Sequence, residues 1–455
     1  MTATKTPAFH KPPLFTRQQL IALLLPLIAE QALSVTIGLA DTLMVSSVGE
    51  AAISGVSLVD MINNVVLTLF AGLATGGAVI TSQFLGARDK ENARLSAAQV
   101  VTMACLAGLG FMALCLAFGE NIMRFLFGSI DAEVMEKGLV YFRITAMSFP
   151  FIAVYNAGAA LFRSQGNSKV SMEVSLLMNV INVAGNAICI YGLKMHVEGV
   201  AIPTLVSRGV AAIVILALAM RPKEELRVTW RNLLRLKGAM MGKILRIGIP
   251  SAMENSFFQL GRVVVVSMIA LFGTTHTSAN AVANTLDSIG IITGQAVGLA
   301  MITVVGQCIG AHDTDQAVYY IKKLMLWTYS VMGVAHTLVL IFVKQLVGLY
   351  SSLSPETAQL ATTLVQIHSV AAIILWPAAF TLPNALRAAN DVKFTMIVSI
   401  ASMILWRVSF SYILCVNMQL GAIGVWIAMI IDWVCRTAFF VGRILSGKWK
   451  TKYTD

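Results

Sequence analysis

QFLGARDKENA, residues 83–93, returns as QCIGAHDTDQA at residues 307–317, an offset of 224 residues. Sliding the second half of the chain onto the first at that offset aligns Pro26 to Ala93 with Pro250 to Ala317 without a gap. Ten of these 68 positions are identical, and they include Pro26 with Pro250, Glu30 with Glu254 and Gly49 with Gly273. The same offset superposes Arg163 on Arg387 and Lys169 on Lys393. An internal duplication accounts for the whole set.

The duplicated chain belongs in a bilayer. Of its 455 residues 57% are apolar and 12% charged, with a mean hydropathy of +0.78. A soluble domain carries about 25% charged residues, so half the expected charge is missing. That excludes a cytosolic enzyme, a nucleic-acid-binding module and a disordered scaffold. Twelve apolar stretches of bilayer length can be counted, from 18–45 to 422–445. They are continuous rather than alternating at period two, which excludes a β-barrel. The fold class is therefore an all-α polytopic membrane protein with twelve transmembrane helices in two pseudo-symmetric six-helix bundles. Residues 1–220 form the N-terminal lobe (spans 1–6), 221–243 a basic cytoplasmic linker, and 244–455 the C-terminal lobe (spans 7–12). Six spans return the chain to its starting side, so both repeats insert in the same orientation. Their pseudo-symmetry axis then runs along the membrane normal, with a cleft between the lobes as in an alternating-access carrier.

Loop charges set the orientation. The N-terminus, the even-numbered loops and the C-terminus hold 24 of the 33 Lys and Arg residues; the odd-numbered loops hold Arg124, Lys137, Lys194 and Lys344. The positive-inside rule places both termini in the cytoplasm of a multi-pass cell (inner) membrane protein. The net charge of +11 thus reports orientation rather than a nucleic-acid partner. The polar N-terminal segment lacks the order of a cleavable signal, so the first apolar run is expected to be retained. The six cysteines all fall in apolar stretches without zinc-ligand spacing, and are expected as buried packing residues. In the linker, Trp230, Leu233, Leu234 and Leu236 among basic residues suggest an amphipathic segment on the anionic inner leaflet.

Ionisable groups inside spans are expensive, by about 2.5–3.5 kcal/mol on insertion scales, and are functional candidates for that reason. Asp41 lies deep in span 1; it reads as a proton or sodium site, or as the structural partner of a buried arginine. In span 5, Asn179, Asn182 and Asn186 share one helical face. Their amide oxygens are hard ligands for a small cation, and equally the interhelical glue that membrane bundles use. Glu30 and Glu254 occupy one repeat position close to Pro26 and Pro250, whose rings remove a backbone donor and kink a helix. A structural role is favoured for both glutamates. Asp287 lies in span 8. Asp432 and Arg436, at i and i+4 in span 12, read as an ion pair, and Arg208, Arg262 and Arg407 as partners for the remaining acids. Gly72 and Gly76, and Gly294 and Gly298, have the spacing that lets helices approach closely. GRILSGK (442–448) copies the spacing of a phosphate loop but closes a span and is followed by Trp449, so it is no nucleotide site. No enzyme motif is present and no cofactor is expected; transport would draw on an ion gradient.

The chain resembles the multidrug and toxic compound extrusion (MATE) transporters, nearer their DinF-like branch. The resemblance spans nearly the whole sequence and rests on ADTLMVSSVGEAAISGVS (40–57), GGAVITSQFLGARD (76–89), LFRSQGNSK (161–169) and LRAANDVK (386–393), in that order. It implies an antiporter that expels organic cations and other amphipathic small molecules in exchange for protons or sodium ions. It further implies a coupling-cation site in the N-terminal lobe at Asp41, Asn182, Asn186 and Thr204, where a sodium ion would bind. Asn186 stands where that branch often has a second carboxylate, which leaves Asp41 as the one titratable group and favours protons. Asn179, Glu30, Glu254 and Asp287 are secondary candidates, with Pro26 and Pro250 as conformational kinks. The expected unit is a monomer. A lipid-linked precursor flippase of the same superfamily is the alternative, and an intramembrane transferase a more distant one. A flippase calls for a strongly basic central cavity, against which the few span arginines argue.

Overall fold

Lipid offers no hydrogen bonds, so a chain this apolar can satisfy its backbone only within helices or a closed barrel. The computed structural model describes residues 12–454 except 47, 129, 223–224 and 351–352; the side chains at 37, 39–43, 45–46, 50 and 453–454 also lie outside the description. Among the described residues there is no strand. The first lobe consists of α1 (Arg17–Ser46), α2 (Glu50–Gly86), α3 (Lys90–Phe127), α4 (Ala132–Met147 continued by Phe149–Ser164), α5 (Ser168–Gly192) and α6 (Glu198–Ala219). The second consists of α7 (Gly238–Ala270), α8 (Gly273–Gly290 continued by Ile292–Gly310), α9 (Thr314–Gly348), α10 (Pro355–Ala388), α11 (Val392–Asn417) and α12 (Gly421–Leu445). Among the described residues ten helices are individually long and apolar enough to span a bilayer, and α4, bent by 46°, makes an eleventh. The twelfth segment, α7, has 33 residues but is interrupted by Lys243, Arg246, Glu254 and Arg262. Outward faces carry exposed aliphatics such as Ile213 (67%) and Ile341 (62%), the surface lipid requires.

The repeat extends to backbone conformation. Asp89 and Asp313 cap α3 and α9, accepting from the Asn92 and Gln316 amides at 3.0 Å each. The residues before them, Arg88 and His312, both take positive φ (59° and 54°). So do Gly166 and Asn390, and Gly49 and Gly273, again in register.

The two lobes are cross-clasped on the side of the even-numbered loops. Gln83 donates to the Ala388 carbonyl at 2.8 Å, and its repeat mate Gln307 donates to the Ser164 carbonyl at 2.8 Å. Gly86 and Gly310 bring α2 and α8 together there: a Cβ on either would collide with the carbonyl of Gln307 or Gln83. The close approach expected at Gly72 and Gly76 occurs, against the α7 backbone at Ala252 and Gly248. Gly294 and Gly298 instead make room for side chains, Trp376 and Asn384.

Two expectations are adjusted by the structure. The linker segment is not free of the protein. Its one-turn helix Trp230–Leu234 is strapped to α3, where Gln99 donates to the Asn232 and Arg235 carbonyls at 3.1 and 2.8 Å and accepts from the Lys237 amide. Leu233 is buried against that helix while Trp230, Leu234 and Leu236 stay exposed, and α7 already begins at Gly238. The cysteines are not uniformly buried either: Cys105, Cys189 and Cys435 are half-buried, and all six are free.

Candidate functional sites in the two lobes

Pro26 lies inside α1, which runs on as one helix. Its ring frees the carbonyl four residues back, at Ala22. The Ser168 hydroxyl of α5 sits 3.5 Å from that oxygen and 2.5 Å from the Leu23 carbonyl. One turn on, Ser171 donates to Glu30 at 2.9 Å. Both contacts advance toward the C-terminus, by three residues along α5 and seven along α1, so α1 and α5 run parallel. Pro250 likewise lies inside an unbroken α7.

Further along α5, the expected face of asparagines meets α6. Asn182 donates to the Thr204 hydroxyl at 3.0 Å, and Asn186 to the Asn182 amide oxygen at 3.5 Å. Gly185 makes the approach possible, since a Cβ there would press on Pro203. Asn182 and Asn186 are buried and Thr204 is half-buried. A π-helical turn, Ile188–Gly192, follows at once. Asn179 is not part of this group; it turns back to Ser175 at 3.4 Å. The Asp41 side chain lies outside the described residues.

Glu30 and Glu254 are the repeat-related pair expected to be structural, and each has an arginine. Arg163 stands 3.6 Å from Glu30, and Arg387 stands 2.8 Å from Glu254. Ser399 adds a hydrogen bond to Glu254. The Asp432–Arg436 ion pair expected from spacing is present at 2.9 Å, with Arg407 further off at 3.9 Å.

Asp287 does not take an arginine; it is paired with His368 of α10. His336 of α9 lies beside them, its ring centroid 5.7 Å from that of His368, and it faces the Ser369 hydroxyl. The ligand atoms of Asp287, His336 and His368 lie within 4.8 Å of one another, the spacing of a divalent-metal site. The electrostatics oppose one, because both Arg262 and Arg407 act on Asp287. The two histidines are a signal of the kind sequence reasoning uses, ionisable groups in spans, yet they escaped it. So did Asp60 of α2, which accepts from Tyr141 at 3.2 Å and lies in the field of Arg208. Arg208 donates to Ser148 at 2.8 Å.

The largest departure is the C-terminal lobe's cavity of about 590 Å³. Arg262, Arg387, Arg407 and Arg436 all line it, together with Glu254 and Asp287. The basic cavity that the scattered arginines argued against is there, because four helices deliver one arginine each to a common point. A much smaller cavity, about 100 Å³, lies around Asn156 and Arg163 on the N-terminal side.

The MatE family model matches the chain twice, over residues 26–188 and 250–413. The two matches start 224 residues apart, the offset of the internal repeat. An uncharacterized transporter of Bacillus subtilis, YisQ, is 28% identical over 99% of this chain and 96% of its own length. A probable multidrug resistance protein NorM of Thermotoga maritima is 25% identical over 96% and 94%. The outward-facing structure of a multidrug resistance MATE family transporter superposes with a TM-score of 0.88 at 20% identity, covering 95% of this chain and 96% of that one.

Proposed function

The chain belongs to the MatE family, and on that premise we propose that it is a secondary active exporter of amphipathic small molecules. It works as a monomer in the cell membrane with both termini cytoplasmic, and a cation gradient drives it. It is a carrier and carries out no covalent chemistry.

The observation that carries this reading is the Asn182–Asn186–Thr204 group and its level in the lobe. Ser171 of α5 touches Glu30 of α1. Asn182 lies eleven residues beyond Ser171, and Asp41 eleven beyond Glu30. Parallel helices rise together, by about 16 Å over eleven residues, so the Asp41 position comes level with Asn182. The neutral amide and hydroxyl oxygens are of the hard type a sodium ion accepts. With a single carboxylate and no second acid at Asn186, a proton suits the site better. Neutralising Asp41 would change how α1 packs on α5 around Pro26. Coupling follows if the cation and the exported molecule favour opposite states.

The test is efflux from everted vesicles with proton and sodium gradients imposed separately. Asp41→Asn should abolish gradient-driven movement. Full efflux in that variant sinks the mechanism.

A further inference from the structure

We propose that the cavity of the C-terminal lobe takes an anionic amphiphile: an apolar body bearing a carboxylate, sulfonate or phosphate head. As a transport substrate this rests on the exporter reading above; as a binding site it does not.

Counting charges makes the case. Four guanidinium groups line the cavity against the carboxylates of Glu254 and Asp287, with Asp432 buried behind. Each carboxylate is already engaged: Glu254 by Arg387 and Ser399, Asp287 by His368, Asp432 by Arg436 and Ser402. Arg262 is exposed to the cavity and has no hydrogen-bond or ion-pair partner among the described residues. Arg407 is 92% buried, since its exposure is 8%, and its Nε and Nη1 make no hydrogen bond. The indole N–H of Trp433, a residue 2% exposed on the same wall, is also unbonded. Outside the His368 contact the unbonded acceptors beside these donors are Glu254 Oε2, on a carboxylate that Arg387 already holds, and Asp432 Oδ2, 3.9 Å from Arg407 Nη1 and on a carboxylate that Arg436 already holds.

A buried donor without an acceptor is costly, and a buried guanidinium more so. Inside a membrane-embedded lobe the remedy is a ligand that brings negative charge and oxygen acceptors, to which guanidinium groups bind with matched geometry. An organic cation would meet the opposite field. The same lining also carries an aromatic run: Trp376, Phe380 and Trp433 stand in sequence with ring centroids 5.2 and 5.8 Å apart. Arg436 is held over Phe380 at 5.4 Å, so the charged and aromatic walls meet at one seam. A flat apolar body on the rings and an anionic head on Arg262, Arg407 and Trp433 fills both.

The test titrates the full-length protein in nanodiscs with two fluorescent amphiphiles of similar size, an anilinonaphthalene sulfonate and ethidium. The sulfonate should bind saturably and at least about tenfold tighter, the range of a hydrogen bond to a charged group. Arg262→Gln should weaken it by about tenfold while the thermal midpoint moves little, since Arg262 is bonded to no described residue and acts on Asp287, which His368 already holds, only through its field. Arg407→Lys keeps the charge and removes the fork, and should weaken it as well. Equal or tighter binding of ethidium, or an unchanged sulfonate affinity in Arg262→Gln, overturns the proposal. Repeating the titration in wholly zwitterionic and in phosphatidylglycerol-containing discs separates the sources. Competition by the anionic lipid assigns the site to a lipid headgroup, and its absence to a soluble amphiphile. Sulfonate binding without gradient-driven movement in proteoliposomes would leave the site standing and fail the exporter reading. Movement of ethidium without sulfonate binding would do the reverse.

Discussion

Arg387 lies 2.8 Å from Glu254, and the same two chain positions one repeat earlier, Arg163 and Glu30, lie 3.6 Å apart. Duplication has kept the ion pair in both lobes and tightened it in the second. Glu254 is 6% exposed, so removing it strands a largely buried cation. Glu254→Gln should cost about 3 kcal/mol, at the lower end of the range for breaking a buried pair. Glu30→Gln should cost less. Thermal unfolding in detergent ranks them, and the double variant Glu254→Gln, Arg387→Gln should recover part of the loss. An equal drop for both single variants would contradict the ranking.

The clasp makes a second, steric prediction. Gly86→Ala and Gly310→Ala each drive a Cβ into a carbonyl oxygen of the other lobe, where neither backbone can yield. Both should lose folded protein on size exclusion, beyond the ~1–3 kcal/mol typical of overpacking. Gly110→Ala, with nothing within 4 Å, should be neutral or slightly stabilising.

Gln99 makes three hydrogen bonds to the linker, at Asn232, Arg235 and Lys237. In Gln99→Ala, amide exchange between residues 229 and 237 should quicken by about tenfold, the equivalent of one or two lost hydrogen bonds. Exchange in α5 and α10 should not move. Unchanged linker protection would mean that the burial of Leu233 alone holds the strap.

Asp287 offers a sign test. Both Arg262 and Arg407 lie in its field, although Asp432 acts more strongly on Arg407. Removing its charge leaves the arginines freer to attract an anion, by about 2 kcal/mol at ~8 Å and an effective dielectric of about 20. Asp287→Asn should therefore tighten sulfonate binding, by up to about thirtyfold, while Arg262→Gln weakens it. Two changes in the same direction would refute the charge argument.

The coupling site predicts a different dissociation of effects. Thr204→Ala removes the acceptor of the Asn182 amide at 3.0 Å. It should weaken cation dependence of efflux by about tenfold and leave sulfonate binding in the other lobe untouched. Isothermal titration beside the vesicle assay separates the two.

The helices and the repeat that relates them were legible because duplication and burial leave marks along the chain. The offset of 224 residues already aligned Glu30 with Glu254 and Arg163 with Arg387, and the structure adds only that they touch. The arginine cavity was not legible. Arg262, Arg387, Arg407 and Arg436 come from α7, α10, α11 and α12; three of them read singly as some acid's partner, and Arg387 only as the repeat mate of Arg163. Only the crossing of four helices shows that they outnumber the acids they face. His336 and His368 were overlooked for a related reason: thirty-two residues separate them, on neighbouring helices, and neither forms a motif alone. The strapping of the linker to α3 was not legible, because Leu233 has the periodicity of a lipid-facing residue and Gln99, which holds its neighbours, lies far off in the chain.

The paired bonds from Gln83 to Ala388 and from Gln307 to Ser164 also have a mechanical meaning. They form a double latch across the dyad, each half closing the doorway for the other. Parting one leaves the lobes pinned by its twin, so on that side they come apart only when both bonds fail together.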